Sequence, residues 1–98
     1  MPKRKNSLAD WERVEKATGI LKTVAHPLRL RIVDLLTEGE RTVGDIQNNL
    51  GVSQSLTSQQ LSLMKSRGVL KSRRVGKLTY YSIERPEVIQ VLHCLRKC

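Results

Sequence analysis

Aromatic side chains are scarce in this 98-residue chain, which has no phenylalanine and carries only Trp11, Tyr80 and Tyr81. Leu, Val and Ile supply most of its apolar residues, and such a set suits helices packed through aliphatic side chains better than a large sandwich or barrel. A chain of this length makes one domain with a modest core, so oligomerisation is an expected source of further stability.

Long apolar runs and cysteines are also few. No stretch approaches the roughly 18 apolar residues of a membrane span, so no membrane partner is expected. Lys3, Arg4 and Lys5 are not followed by an apolar segment, which argues against a secretory signal. Cys94 and Cys98 are too few for a disulfide framework, which favours a reduced, cytoplasmic setting.

Acidic residues are missing altogether from Ile46 to Ile83, within a chain of net charge +9. A one-signed run of this kind favours a polyanionic partner, with nucleic acid first; the alternative is a basic protein with no particular partner. The sequence contains no nucleophile with a positioned base, no glycine-rich phosphate loop and no dense cluster of metal ligands. An enzyme is therefore not expected.

The chain divides into a flexible basic arm, residues 1–7, and a single domain, residues 8–98. Apolar residues recur at helical spacing from Leu8 to Ala25, and His26-Pro27 then interrupts the pattern. Pro27 suits the first position of a second helix, which ends at Gly39, because its missing N–H needs no partner there. We interpret His26 as a helix-start residue rather than a ligand.

Two short helices follow. Thr42 and Asp45 have the spacing of a capping box at the start of the third helix, and Gly51 stands where a C-cap favours a left-handed residue. Ser53 is suited to capping a fourth helix that runs to about Arg67.

The hydrophobic period then changes. Two β-branched and aromatic runs flank Gly76-Lys77, which predicts a hairpin with a type II′ turn, and Pro86 begins a final helix. The order is four helices, a hairpin and a fifth helix. This is a mainly α (α+β) winged helix-turn-helix, in which the hairpin is the wing.

The fourth helix has an uncharged polar face. Val52, Leu56, Leu63 and Met64 are predicted to point inward, with Leu61 at the edge. Short hydroxyls and amides can approach base edges in the major groove, whereas an ordinary solvated face usually prefers Lys and Glu. The DNA-contacting residues expected from this helix are Ser53, Gln54, Ser55, Thr57, Ser58, Gln59, Ser62 and Lys65.

The wing is basic. Arg73, Arg74 and Lys77 are expected to contact phosphates, with entry into the minor groove as a further option, and Lys71 would extend the track. An alternative role for these residues is to discourage edge-to-edge aggregation of the strands. An RNA-binding winged helix would use the same wing and remains the competing function.

Three segments together resemble the ArsR (arsenic-repressor, ArsR/SmtB) family of transcriptional repressors. They are "LKTVAHPLRLRIVDLL", "VSQSLTSQQLSLMKSRGVL" and "RRVGKLTYYSI", and the similarity covers roughly Leu21 to Ile89. The resemblance implies a homodimer formed by the first and last helices. It also implies binding of double-stranded operator DNA at an imperfect palindrome, repression of transcription, and release by an effector.

The last helix agrees with such a dimer because it carries an apolar stripe. The alternative is that this stripe packs on its own subunit. The residues of the stripe are Val88, Val91, Leu92, Leu95 and Cys98.

The chain departs from the sensing residues of the family. Thr42 and Gly44 stand where many metal-sensing members have a Cys-x-Cys pair, and Arg85 and Glu87 stand where others have Asp-x-His. Oxidant-sensing members usually have a cysteine in the second helix, where this chain has Asp34. None of these sensor sites can be carried over.

His93, Cys94 and Cys98 remain as candidate sensor residues. Thiolates suit arsenite, cadmium, copper(I) or zinc, with His93 or the second subunit completing the coordination. The two thiols would otherwise form a disulfide if the helix frays, or serve only as small packing side chains. These three alternatives stay open at the level of sequence.

Overall fold

The computed structural model describes residues 11–96, with side chains as far as residue 94, so the predicted arm lies outside the described residues. No helix in this part is long and apolar enough to cross a membrane. The helical order is as predicted, and one short strand is added. The elements are α1 (Trp11–Val24), α2 (Pro27–Leu36), β1 (Arg41–Thr42), α3 (Val43–Leu50), α4 (Gln54–Ser66), β2 (Leu70–Val75), β3 (Leu78–Ile83) and α5 (Glu87–Arg96).

The helix starts are capped as the sequence indicates. The His26 ring accepts a hydrogen bond from the backbone N–H two residues later (3.2 Å). His26 therefore caps the start of α2, as expected of a helix-start residue. Thr42 accepts from the Asp45 N–H at 3.1 Å. The Asp45 carboxylate lies 2.7 Å from Arg41. At its other end α2 stops at Leu36, earlier than the predicted Gly39, because the chain turns there.

The three strands form an antiparallel sheet in the order β1-β3-β2. β1 has only two residues, too few to leave a periodic pattern, and it pairs with Tyr80 and Tyr81 of β3. The hairpin register places Val75 opposite Leu78. Gly76 has a φ of +60°, and no described non-glycine residue has a positive φ. A type I′ turn is therefore excluded, in agreement with the type II′ prediction.

One core joins the helices to β2. The stripe on α5 is divided by it: Val88 and Leu92 are buried in the subunit's own core, whereas Val91 is only half-buried. Packing on its own subunit thus holds for part of the stripe, and the side chains of Leu95 and Cys98 lie outside the described residues. The buried apolar residues are Val24, Ile32, Val33, Leu36, Ile46, Leu50, Leu61, Met64, Val69, Leu70, Val88 and Leu92.

Candidate nucleic-acid interface

α4 is fixed in place by its start and by its buried side. Gly51 ends α3 in the left-handed conformation (φ +67°), where a side chain would be strained. Ser53 then caps α4 by accepting a hydrogen bond from the Leu56 N–H at 3.1 Å. Leu61 and Met64 are completely buried in the core. The tight connection and these two side chains set the orientation of the helix.

The buried face of α4 is centred on Leu61, which the sequence pattern predicts at the edge of that face. Leu56, expected inside, is 38% exposed, and Thr57 is completely buried instead. The Thr57 hydroxyl donates to the Ser53 carbonyl at 2.8 Å, so its polar group is satisfied by the helix backbone and tolerates burial. The prediction that Thr57 contacts DNA is therefore wrong.

The opposite face of α4 is polar, uncharged and accessible, as the sequence indicates. Five side chains line one shallow, open concavity there, and we call them the α4 polar surface: Gln54, Ser55, Ser58, Gln59 and Ser62. Ser58 is half-buried and the other four are exposed. Leu56 is an exposed apolar residue of the same helix that sequence reasoning missed, because helical spacing alone placed it inside.

Arg29 connects α4 to two other helices. Its Nε donates to the Gln60 Oε1 atom of α4 at 2.7 Å, and its Nη1 donates to the Thr23 carbonyl of α1 at 3.1 Å. Helix α4 is thereby tied to the end of α1 through one half-buried side chain of α2. No local sequence signal points to this contact, since Arg29 and Gln60 are far apart in the chain.

Two of the wing cations are paired with carboxylates from outside the acid-free run. Both Nε and Nη2 of Arg73 donate to the Glu40 carboxylate, with an Nε–Oε2 distance of 2.8 Å, and the guanidinium lies 5.1 Å from the centre of the Tyr80 ring. The hydrogen bond from Arg73 lowers the pKa of the Glu40 carboxyl. Lys71 lies 3.8 Å from Glu84. The positive charge of the wing is thus partly neutralised in the folded structure, although the sequence from Ile46 to Ile83 has no acidic residue.

The remaining predicted phosphate contacts have no ion-pair partner in residues 11–94. Arg74 donates from Nε to the Gly76 carbonyl at 3.2 Å, which holds it beside the turn. Lys77 in the turn and Lys65 in the last turn of α4 are exposed. These three cations, one on α4 and two on the hairpin, are available to an anion.

The candidate sensor residues are only partly described. His93 and Cys94 are both exposed on α5, and Cys98 lies outside the described residues. Among the residues that the structure describes, no three His, Cys, Asp or Glu side chains are grouped so as to hold a metal ion.

An apolar groove runs between α1 and α5. Leu21 on its wall is 48% exposed, and Trp11, at the start of α1, is 71% exposed. Arg13, Lys16, Arg85 and Glu87 surround an apolar floor. The floor consists of Ala17, Ile20, Leu21, Val24, Val88 and Val91.

Helix α4, the tight connection before it and the basic hairpin after it define a winged helix-turn-helix of the kind found in DNA-binding regulators. Residues 26–72 match the family described as bacterial regulatory protein, arsR family. The chain is 42% identical to an uncharacterized HTH-type transcriptional regulator of Mycobacterium tuberculosis, across 78% of this chain and 68% of that one. It is 31% identical to the transcriptional activator HlyU of Vibrio cholerae, across 97% and 94%.

Solved structures agree with these relatives. The transcriptional repressor BigR from Xylella fastidiosa superposes with a TM-score of 0.82 at 32% identity, over 88% of each chain. A homodimeric winged helix-turn-helix DNA-binding domain from Mycobacterium bovis, a possible ArsR-family regulator, gives 0.77 at 29% identity, over 96% of this chain and 87% of that one. The protein belongs to the ArsR family of bacterial regulatory proteins. It is a transcriptional regulator and not an enzyme.

Proposed function

We propose that the protein is a sequence-specific repressor that binds double-stranded operator DNA as a homodimer. The α4 polar surface carries this proposal, because it is accessible and uncharged, while Lys65 on the same helix and Arg74 and Lys77 on the hairpin have no ion-pair partner in residues 11–94. The similar protein BigR is a transcriptional repressor, which supports repression rather than activation. HlyU is an activator. Expression of a reporter gene placed behind the operator therefore decides between repression and activation.

The chemistry of α4 suits the major groove. Gln54 and Gln59 can each donate and accept on one adenine, and the serine hydroxyls can contact bases or phosphates without holding the helix away from the groove. Leu56 presents an exposed apolar side chain that suits a thymine methyl group. Lys65 and Lys77 would contact the flanking phosphates, which set the position of the helix rather than the sequence it selects.

A second copy of the chain would cover the groove between α1 and α5. Leu21 and Trp11 expose large apolar side chains to water, which is unfavourable unless a partner covers them. Val91 extends the same apolar area. The relative from Mycobacterium bovis is described as homodimeric. A two-fold dimer would present two α4 helices to successive major grooves about 34 Å apart, which corresponds to an imperfect palindrome.

DNA recognition is tested by fluorescence anisotropy with DNA from upstream of the protein's own gene, random duplex and structured RNA, at matched salt. We expect Gln59→Ala to reduce the preference for the upstream DNA over random duplex roughly 5- to 100-fold, because it removes one bidentate contact to a base. Gln90→Ala, an exposed glutamine on α5, is the control and should change nothing. Equal affinity of the wild type for all duplexes, or tighter binding of RNA, would contradict the proposal.

The dimer is tested by sedimentation. The wild type is expected to sediment as a dimer at micromolar concentration, and Leu21→Glu to sediment as a folded monomer, since it places a charge in the apolar contact. A monomeric wild type would refute the dimer.

Release by a thiophilic ligand is proposed from the exposure of Cys94 on α5, a helix of the proposed dimer. Operator binding is measured for reduced and oxidised protein and with arsenite, cadmium, copper(I) or zinc, beside a Cys94→Ser, Cys98→Ser double variant. Release of the wild type but not the variant by one additive supports sensing through these thiols. Release of neither by any additive leaves a repressor that is constitutive or responds to another ligand. A regulator of this kind would act in the cytoplasm.

A further inference from the structure

A small basic concavity lies between α1, the end of α4 and the loop before α5. Its volume is about 230 Å³. This is smaller than the roughly 300–1,000 Å³ of a pocket for a drug-sized ligand, so the concavity suits a compact ion. Four cations and one carboxylate line it, and these are Lys16, Lys22, Arg67, Arg85 and Glu15.

The cations of this concavity are poorly neutralised. Lys16, Lys22 and Arg67 are exposed and have no ion-pair partner within the described part of the chain. Arg85 is half-buried, and its Nη1 atom lies 4.0 Å from Glu87 Oε2, which is beyond hydrogen-bond distance. Cations gathered without matching carboxylates repel one another, and a bound anion would relieve that repulsion.

Helix dipoles explain only half of this arrangement. Lys22 lies in the last turn of α1 and Arg67 caps the end of α4, where positive charge is favoured. Lys16 lies in the middle of α1, and Arg85 precedes the N-terminal end of α5, where positive charge is disfavoured. An anionic ligand would account for all four cations together.

Gly19 is a second, independent feature of the concavity, since it forms part of the wall. It lies inside α1, where glycine destabilises a helix relative to alanine. A Cβ atom placed there would meet no atom within 4 Å, and the φ of Gly19 is not positive. Neither packing nor backbone angle in the described chain therefore requires glycine at this position. Its missing side chain leaves space for a ligand to approach the helix backbone.

We propose that this concavity binds a compact phosphate anion with more than one negative charge, held by its four cations against Gly19. Lysine and arginine both bind phosphate oxygens through charge-assisted hydrogen bonds. Pyrophosphate and the diphosphate group of a nucleotide share the required chemistry. The inference goes beyond the proposed function, because the concavity shares no residue with the α4 polar surface.

The test is titration of the DNA-free protein with pyrophosphate, followed by calorimetry and by ³¹P NMR. We expect Lys22→Gln with Arg67→Gln to weaken binding about tenfold or more, since losing one hydrogen bond to a charged group costs roughly that factor. The matched control is Arg74→Gln with Lys77→Gln, which removes the same charge from the wing. This control should bind pyrophosphate like the wild type.

A pair of glycine substitutions tests the shape of the site independently of charge. Gly19→Ala should weaken pyrophosphate binding without unfolding the protein, because its methyl group takes up space beside the concavity. Gly44→Ala is the matched control, since Gly44 lies in α3 and a Cβ atom there also meets nothing within 4 Å. It should leave binding unchanged.

Each outcome decides the inference. A wild type that binds no pyrophosphate by either method overturns it, as does unchanged binding by Gly19→Ala. Equal losses in the two double variants also overturn it, because binding would then follow net charge alone. If Lys22→Gln with Arg67→Gln does not fold, the two single variants give the same decision.

Two further ligands separate the sources of the phosphate. Binding of ADP as tightly as pyrophosphate supports a nucleotide, and binding of pyrophosphate alone supports the free anion. If the wild type binds neither, and Lys22→Gln with Arg67→Gln weakens binding to a long duplex, the cations extend the DNA surface and the inference is refuted. A wild type that binds pyrophosphate but no duplex refutes the proposed function alone.

Discussion

The ion pair between Glu40 and Arg73 makes a sharp prediction about the salt dependence of DNA binding. The sequence treats Arg73 and Lys77 as equivalent phosphate contacts, but the structure does not. Arg73 donates two hydrogen bonds to Glu40, whereas Lys77 has no ion-pair partner in residues 11–94. Arg73 can contact a phosphate only by giving up its ion pair with Glu40, so its contact adds little to the release of counterions from DNA. Lys77 has no such pair to give up, so its contact with a phosphate releases a counterion.

The expected size follows from counterion release. Each phosphate that a cation neutralises contributes about 0.9 to the slope of log affinity against log salt, which is a factor of about 3.5 between 50 and 200 mM. Lys77→Ala should therefore lower the slope by about 0.9 per subunit, and Arg73→Ala should change it little. Glu40→Gln should do the opposite of Lys77→Ala and steepen the slope by up to about 0.9, because it frees Arg73.

The assay is fluorescence anisotropy on random duplex DNA at several salt concentrations between 50 and 200 mM. Glu38→Gln is the matched control: Glu38 lies in the same loop and pairs with Arg41, so this change removes the same charge without releasing a wing cation. Equal slopes for Arg73→Ala and Lys77→Ala would refute the reasoning. So would equal effects of Glu40→Gln and Glu38→Gln, since the gain would then come from net charge alone.

Three further measurements test the local structure. Gly51→Ala should lower the free energy of unfolding in urea by about 1 kcal/mol or more because of its positive φ, whereas Gly19→Ala in the middle of α1 should raise it by up to about 1 kcal/mol. The pKa of the Glu40 carboxyl should lie below its ordinary value of 4.5, so the pair persists above that value and is lost as the pH falls through the lowered pKa; in Arg73→Ala, carboxyl NMR should show the ordinary range. Arg29→Met should lower the free energy of unfolding by about 1–3 kcal/mol, because it removes a charged donor from two hydrogen bonds.

The sequence was sufficient for elements whose signals are local. Thr42, Ser53 and Gly51 mark the ends of α3 and the start of α4 through the hydrogen bonds and backbone angle that the structure shows. Gly76 marks the turn in the same way. Each signal depends on residues within one helical turn or one hairpin, so no knowledge of the rest of the chain was needed.

Features set by distant parts of the chain were not predictable. β1 is recognisable only by its pairing with β3, and the acid-free run is neutralised at Arg73 by Glu40, a residue outside that run. The rotation of α4 has the same origin. Leu61 lies at the centre of the buried face because it packs among core residues from other elements of the domain. Thr57 is buried beside it because its hydroxyl donates to a backbone carbonyl.

Arg29 suggests how a change at the dimer would reach the DNA. The α1–α5 groove and the α4 polar surface share no residue, so packing at one does not act directly on the other. Arg29 contacts both sides: the Thr23 carbonyl near the end of α1 and the Gln60 amide, next to Gln59 on α4. A shift of α1 would have to break one of these hydrogen bonds or move α4 with it. Movement of α1, through which the two subunits are proposed to meet, would therefore disturb the hydrogen bonds of Arg29 and with them its contact to Gln60 on α4.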